Sequence, residues 1–189
     1  WNTTIYATAY ELREGVSWLA VTPAVVRYLW AYGGSKGKCL GFGFGLGETH
    51  PVYEAFSAGL PRVQPPYAWY LRVPDLPAFL RHVAPVLETR LAQSVAAGHT
   101  GVLTLGFYRS GVRLTFERGR IAEVAPWEPR GTDTGAAAFP NLTFLQLLFG
   151  YRALAELRAA FPDCYANAEA TVLLNALFPK QPSSVWPVS

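Results

Sequence analysis

Leu76, Leu80, Val83, Val86, Leu87 and Leu91 recur at spacings of three and four, which draws one apolar face on an amphipathic helix. Asp75 stands directly before that face, where a carboxylate can accept the orphan N–H groups of a first helical turn. Residues 67–73, YAWYLRV, are rich in aromatic and β-branched side chains and read as a strand. Pro65 and Pro66 precede them and cannot extend a ladder. A strand that feeds a capped helix opens a domain, so residues 65–80 predict a seam between 1–64 and 65–189.

Beyond the seam, residues 99–106, 107–117 and 120–124 form three β runs separated by the turn signals Arg109-Ser110-Gly111 and Glu117-Arg118-Gly119. A polar loop covers 128–135, and Asn141 is placed to cap a helix over 142–149. Further helices fall at 151–160 and 167–178, each stopped by a following proline, and an extended tail covers 182–189. Helix, meander and then helices is an α+β pattern, an antiparallel sheet with covering helices. Before the seam the expectation is strands at 5–12 and 16–21, then a helix opening at Thr22-Pro23. Val25, Val26, Leu29 and Trp30 give that helix its apolar face, and Gly33-Gly34 end it. A strand at 39–46 and a helix at 51–58 capped by Thr49 complete this half.

Composition narrows the function classes. Only 15% of the 189 residues are charged, against roughly 25% in an average soluble protein, so some apolar surface should face a ligand, a partner or further chain. The net charge is +3 and the basic residues do not run together, which argues against a nucleic-acid surface. No apolar run reaches the ~20 residues of a membrane span. The chain contains no methionine and reads as a segment of a longer protein. Cys39 and Cys164 lie far apart and read as buried thiols of a cytoplasmic protein.

Candidate chemistry is sparse. Gly41, Gly43, Gly45 and Gly47 alternate with Phe42, Phe44 and Leu46 at the strand period. That describes a bare strand face against which something packs closely, whereas a phosphate cradle breaks alternation at a helix start. His50, His82 and His99 show no metal-ligand spacing, and no serine lies in a nucleophile elbow. Glu48 near His50 reads as a cap or surface pair. Trp69, Phe107, Phe116, Phe144, Phe149 and Trp186 read first as core, and their density leaves room for an apolar groove under the meander.

Three stretches carry a resemblance: PPYAWYLRVPDLPAFLRHVAPVLETRLA, TGVLTLGFYRSGVRLTFERGR and FPNLTFLQLLFGYRALAELRAAFPDC. Together with the tail LFPKQPSSVWPVS they resemble the C-terminal region of bacterial GNAT-type N-acetyltransferases similar to the enhanced intracellular survival (Eis) family. YELREGVSWLAVTP and GFGLGETHPVYEAF look like the back of the second GNAT-like lobe. The resemblance implies a sterol carrier protein-like domain over 65–189, preceded by a partial GNAT-like α/β lobe over 1–64. It implies a parent enzyme that moves an acetyl group from acetyl-CoA to an amine-bearing small molecule or peptide. The Gln/Arg-x-x-Gly-x-Gly/Ala loop of such enzymes is missing here, so the acetyl-CoA site belongs upstream, as does the tyrosine general acid, and the fragment alone should be inactive. The family's general base is the terminal carboxylate, which by position falls on Ser189. The alternative reading is a non-catalytic module that binds an apolar ligand or assembles a homo-oligomer.

Overall fold

The computed structural model describes residues 3–35, 39–60, 70–131, 133–140 and 142–182, with Thr3, Cys39 and Leu40 by their backbone. The chain is a mixed α+β protein of two compact units, one represented by residues 3–35 and 39–60 and the other by Tyr70–Gln181. Among the described residues no helix is long and apolar enough to cross a membrane.

In the first unit, strand β1 (Thr3–Ala7), helix α1 (Trp18–Ser35) and strand β2 (Cys39–Phe44) form a βαβ unit, with the strands parallel and Ile5 opposite Phe42. The strand expected at 16–21 and the helix start expected at Thr22-Pro23 are replaced by a helix that already begins at Trp18. Ser17 caps it, its hydroxyl accepting the Ala20 N–H at 3.4 Å. Thr22 is fully buried, and its hydroxyl is bonded to the Tyr10 hydroxyl at 3.2 Å instead of capping a turn. A short apolar run fits either period, and here helix packing overrides the Thr-Pro start signal, leaving Pro23 inside the helix. Helix α2 (Pro51–Ala55) and a single 3-10 turn, Ser57–Gly59, follow. The cap of α2 is His50, not Thr49.

The second unit opens with helix α3 (Leu76–Ala92), where the Asp75 carboxylate accepts the Ala78 N–H at 2.8 Å as its pattern requires. The expected strand at 67–73 falls partly outside the described residues, and its described part, 70–73, is irregular. High β-propensity is a statement about fit to a sheet, and the described residues 70–73 lie in none of the ladders. Strands β3 (Gly101–Gly106), β4 (Gly111–Glu117) and β5 (Arg120–Trp127) form the expected antiparallel meander. The chain then crosses over, so that β6 (Ala137–Ala138) pairs parallel to β3, and β7 (Tyr165–Ala166) pairs antiparallel to β6. The sheet order is β5-β4-β3-β6-β7.

The two meander turns differ. At 117–120 the residues Arg118 and Gly119 both have left-handed φ, 50° and 81°, as a two-residue hairpin turn requires. At 107–110 the strand expected to start at 107 is instead a four-residue turn, closed by the Phe107 N–H on the Ser110 carbonyl at 2.7 Å. Helices α4 (Thr143–Leu148), α5 (Leu154–Ala160) and α6 (Ala168–Leu177) complete the unit. Asn141, the expected cap of α4, lies outside the described residues. Helix α5 starts three residues later than the 151–160 pattern suggests, because Gly150 at φ 72° ends the previous turn and Ala153 is extended. The Ala153 N–H is then taken by the Glu156 carboxylate at 2.8 Å.

The core lies on one face of the meander. Leu103 and Leu105 of β3, Val112, Leu114 and Phe116 of β4 and Val124 of β5 are buried with Leu80, Leu87 and Leu91 of α3 and Leu173, Leu174 and Leu177 of α6. Two arginines of α3 tie this layer down: Arg81 donates to the Val124 carbonyl at 2.7 Å and Arg90 to the Leu177 carbonyl at 2.9 Å. The second closes the C-terminal end of α6, where a cation is favoured. Phe116→Ala should lower unfolding stability by about 3–5 kcal/mol through a core cavity, and Asp75→Ala by about 1 kcal/mol through loss of the cap; urea titrations followed by circular dichroism measure both.

Candidate functional site

Of the four described rings of the candidate groove, Phe116 and Phe144 are buried core side chains, and Phe107 and Phe149 are partly buried and pack against that core. Phe116 is 0% exposed and packs edge-on against the His99 ring, with centroids 5.5 Å apart. Phe144 is 2% exposed and lies 5.3–5.5 Å from Phe107, Phe139 and Phe178. Phe149 meets Phe79 of α3 at 5.7 Å. The fold thus joins Phe107 to Phe144, while Phe116 and Phe149 contribute to separate parts of the same apolar layer. Trp69, Trp186 and Ser189 lie outside the described residues.

Glu48 and His50 do not pair. The His50 Nε2 lies 2.8 Å from the Tyr10 carbonyl, so it carries the proton and donates, and Nδ1 accepts the Val52 N–H at 3.2 Å. One backbone acceptor and one backbone donor fix the tautomer and use both nitrogens. The ring sits edge-on to Trp18 at 5.0 Å, and Trp18 is edge-on to Tyr10 at 4.8 Å. The Tyr53 hydroxyl closes the same region, accepting the Leu46 N–H at 3.0 Å. His50 is therefore a structural clasp. Among the described residues no group of three His, Cys, Asp or Glu side chains could hold a metal. Along the glycine strand, close packing is seen at Gly43, where a Cβ would come 2.9 Å from the Tyr6 ring. Gly41 instead borders a small hollow of about 90 Å³ with Leu29, Trp30, Gly34 and Phe42.

A larger hollow escaped the motif reading. It has a volume of about 460 Å³ and is lined by Pro85, Glu88, Thr89 and Ala92 of α3, Ala97 and Gly98 of the following turn, and 118–120 of the β4–β5 hairpin. Its walls are pinned together. The Glu88 carboxylate accepts the Ile121 N–H at 2.9 Å with one oxygen and the Arg120 guanidinium at 3.0 Å with the other. The Arg118 N–H donates to the Thr100 hydroxyl at 2.9 Å and the Gly119 N–H to the His99 carbonyl at 2.8 Å. Two signals could have found it: a proline inside an otherwise regular helix pattern, and an arginine where a hairpin turn prefers Asn or Gly.

Cys164 is a buried free thiol, raised above its ordinary range by burial and by the neighbouring Asp163 carboxylate. The Tyr108 hydroxyl donates to Asp163 at 2.8 Å, and that bond raises the phenol. Neither shift points to a nucleophile, since a reactive thiol needs the opposite displacement. Compared with protein-family models, curated proteins and solved structures, the chain finds no match.

His50→Leu removes both clasp hydrogen bonds and should cost about 2 kcal/mol, whereas His50→Asn keeps a capping acceptor and should recover about half of that. Urea titrations read by tryptophan fluorescence compare the two, and equal losses would assign the effect to ring packing. Cys164 and Tyr108 are both acids held in their neutral forms, so their contribution is complete at neutral pH. It should fade as pH rises above the ordinary thiol value of about 8.5. Cys164→Ala should therefore flatten the alkaline fall of the melting temperature between pH 7 and 10.

Proposed function

We propose that this chain is the C-terminal portion of a GNAT-type N-acetyltransferase similar to the Eis family, with a sterol carrier-like domain following the back of a GNAT-like lobe. The parent enzyme then transfers an acetyl group from acetyl-CoA to an amine. The observation that supports this reading is the order of elements. A parallel β1–α1–β2 unit comes first, as a GNAT-like α/β remnant implies. A helix-first, mostly antiparallel sheet with covering helices follows, as a sterol carrier-like domain implies.

On the resemblance, the loop that cradles the acetyl-CoA pyrophosphate lies upstream of these residues. Such a cradle needs backbone N–H groups converging at an open helix start. Here the starts of α1 and α2 are taken by the Ser17 hydroxyl and the His50 ring. On this reading the chain has a supporting role in the acceptor site. On the resemblance alone, the terminal carboxylate of the parent enzyme enters as the proton acceptor.

Release of free CoA thiol from acetyl-CoA, measured with a panel of amines, tests the reading. The full-length protein should turn over and the present chain should not. Deleting the last three residues of the full-length protein should lower kcat by about 10²–10⁴, the usual contribution of a general base. Turnover by the present chain alone, or a full-length protein inert toward every amine, would overturn it.

A further inference from the structure

Pro85 and Arg118 each break a local rule of their element, and both border the same hollow beside α3. Pro85 stands in the interior of α3, where it has no N–H to give to the carbonyl four residues before it, a defect of about 3 kcal/mol in an ordinary helix. Arg118 has φ 50° in the β4–β5 turn, a conformation that suits Asn or Gly and strains a long side chain. Rule-breaking without an evident local gain is expected where a site is built.

The charges around this hollow give it a direction. Both oxygens of Glu88 are engaged, by Ile121 and by Arg120. Arg120 spends one Nη1 donor on Glu88, out of the five N–H groups of a guanidinium. Among the described residues no hydrogen bond or ion pair takes up the Arg118 guanidinium. Glu88 thus offsets one arginine and leaves the second uncompensated. Ala92, Ala97, Gly98 and Gly119 give the hollow little side-chain bulk, and its volume of about 460 Å³ falls in the range of small-molecule sites, roughly 300–1,000 Å³.

We propose that this hollow binds a small molecule bearing an oxyanion, a phosphate or a carboxylate, which Arg118 holds with the remaining donors of Arg120. Guanidinium groups recognise both oxyanions in the same planar, two-pronged way. The pinned hairpin keeps the site formed before the ligand arrives, because both backbone N–H groups of the turn residues are already engaged.

Titration of the ¹⁵N-labelled chain with inorganic phosphate and, separately, with citrate tests the proposal by amide chemical shifts at constant ionic strength. The amides of Gly98, Arg118 and Gly119 should shift and saturate. Saturation by phosphate alone assigns a phosphorylated ligand, and saturation by citrate alone a carboxylate. Arg118→Gln should weaken the response at least tenfold. Arg118→Asn should weaken it equally and raise the melting temperature, because Asn-Gly is a favoured pair for this turn. Linear shifts with both anions, or saturable binding unchanged in the two variants, would overturn the proposal. A fall in melting temperature with Arg118→Asn would overturn the claim that the arginine is held there against the turn's own preference.

Discussion

One-sided burial of the β3–β5 meander is the constraint on which the second unit depends. Along β4 the side chains of Val112, Leu114 and Phe116 face inward, while Arg113 and Glu117 face out. A slip of one residue would carry Arg113, Thr115 and Glu117 into the core, so the pattern fixes the register more firmly than any single bond. The same apolar layer dictates the placement of the helices. α3 and α6 must cover it, and the arginines of α3 reach the carbonyls of β5 and α6 because that covering brings them within range.

Where sequence periodicity extended over several turns or strands, it located the elements well. The α3 face and its Asp75 cap, the meander and α6 all follow from sequence patterns at 76–91, 99–124 and 167–178. The misses fall on element ends as well as on short runs: the strand expected at 5–12 is Thr3–Ala7, and α5 begins at Leu154. Residues 16–21 read as a strand because six apolar-rich residues carry no helical period of their own, yet they continue into the face of α1. His50 gives no cap signal in the sequence because imidazole is an uncommon acceptor at that position. Only the fold brings the Tyr10 carbonyl to its other nitrogen and so fixes the accepting tautomer. Val86 shows a lesser limit: it is exposed because it lies about 100° around α3 from the buried Leu87, at the edge of the apolar face.

The candidate groove shows why aromatic density alone is an ambiguous signal. Phe107, Phe116, Phe144 and Phe149 were grouped because they lie on elements that share a sheet, and the fold does place them in one layer. Phe144 meets Phe107, Phe139 and Phe178 ring to ring there. The hollow beside α3 had the opposite fate. Its residues come from a helix, a turn and a hairpin, none of which carries a motif, and only the topology brings them together.

Three described non-glycine residues adopt left-handed φ, and their surroundings separate them. Tyr108 is compensated by its hydroxyl bond to Asp163, which ties the β3–β4 turn to the segment before β7. Leu142 is compensated because its carbonyl accepts the Leu145 N–H and starts α4. At Arg118 the backbone bonds of the turn would form equally with Asn or Gly, since they involve the Thr100 hydroxyl and the His99 carbonyl and not the guanidinium. Turn geometry therefore accounts for the conformation at 118 but not for the side chain. What distinguishes arginine there is a charge at the edge of a hollow whose single carboxylate is already engaged.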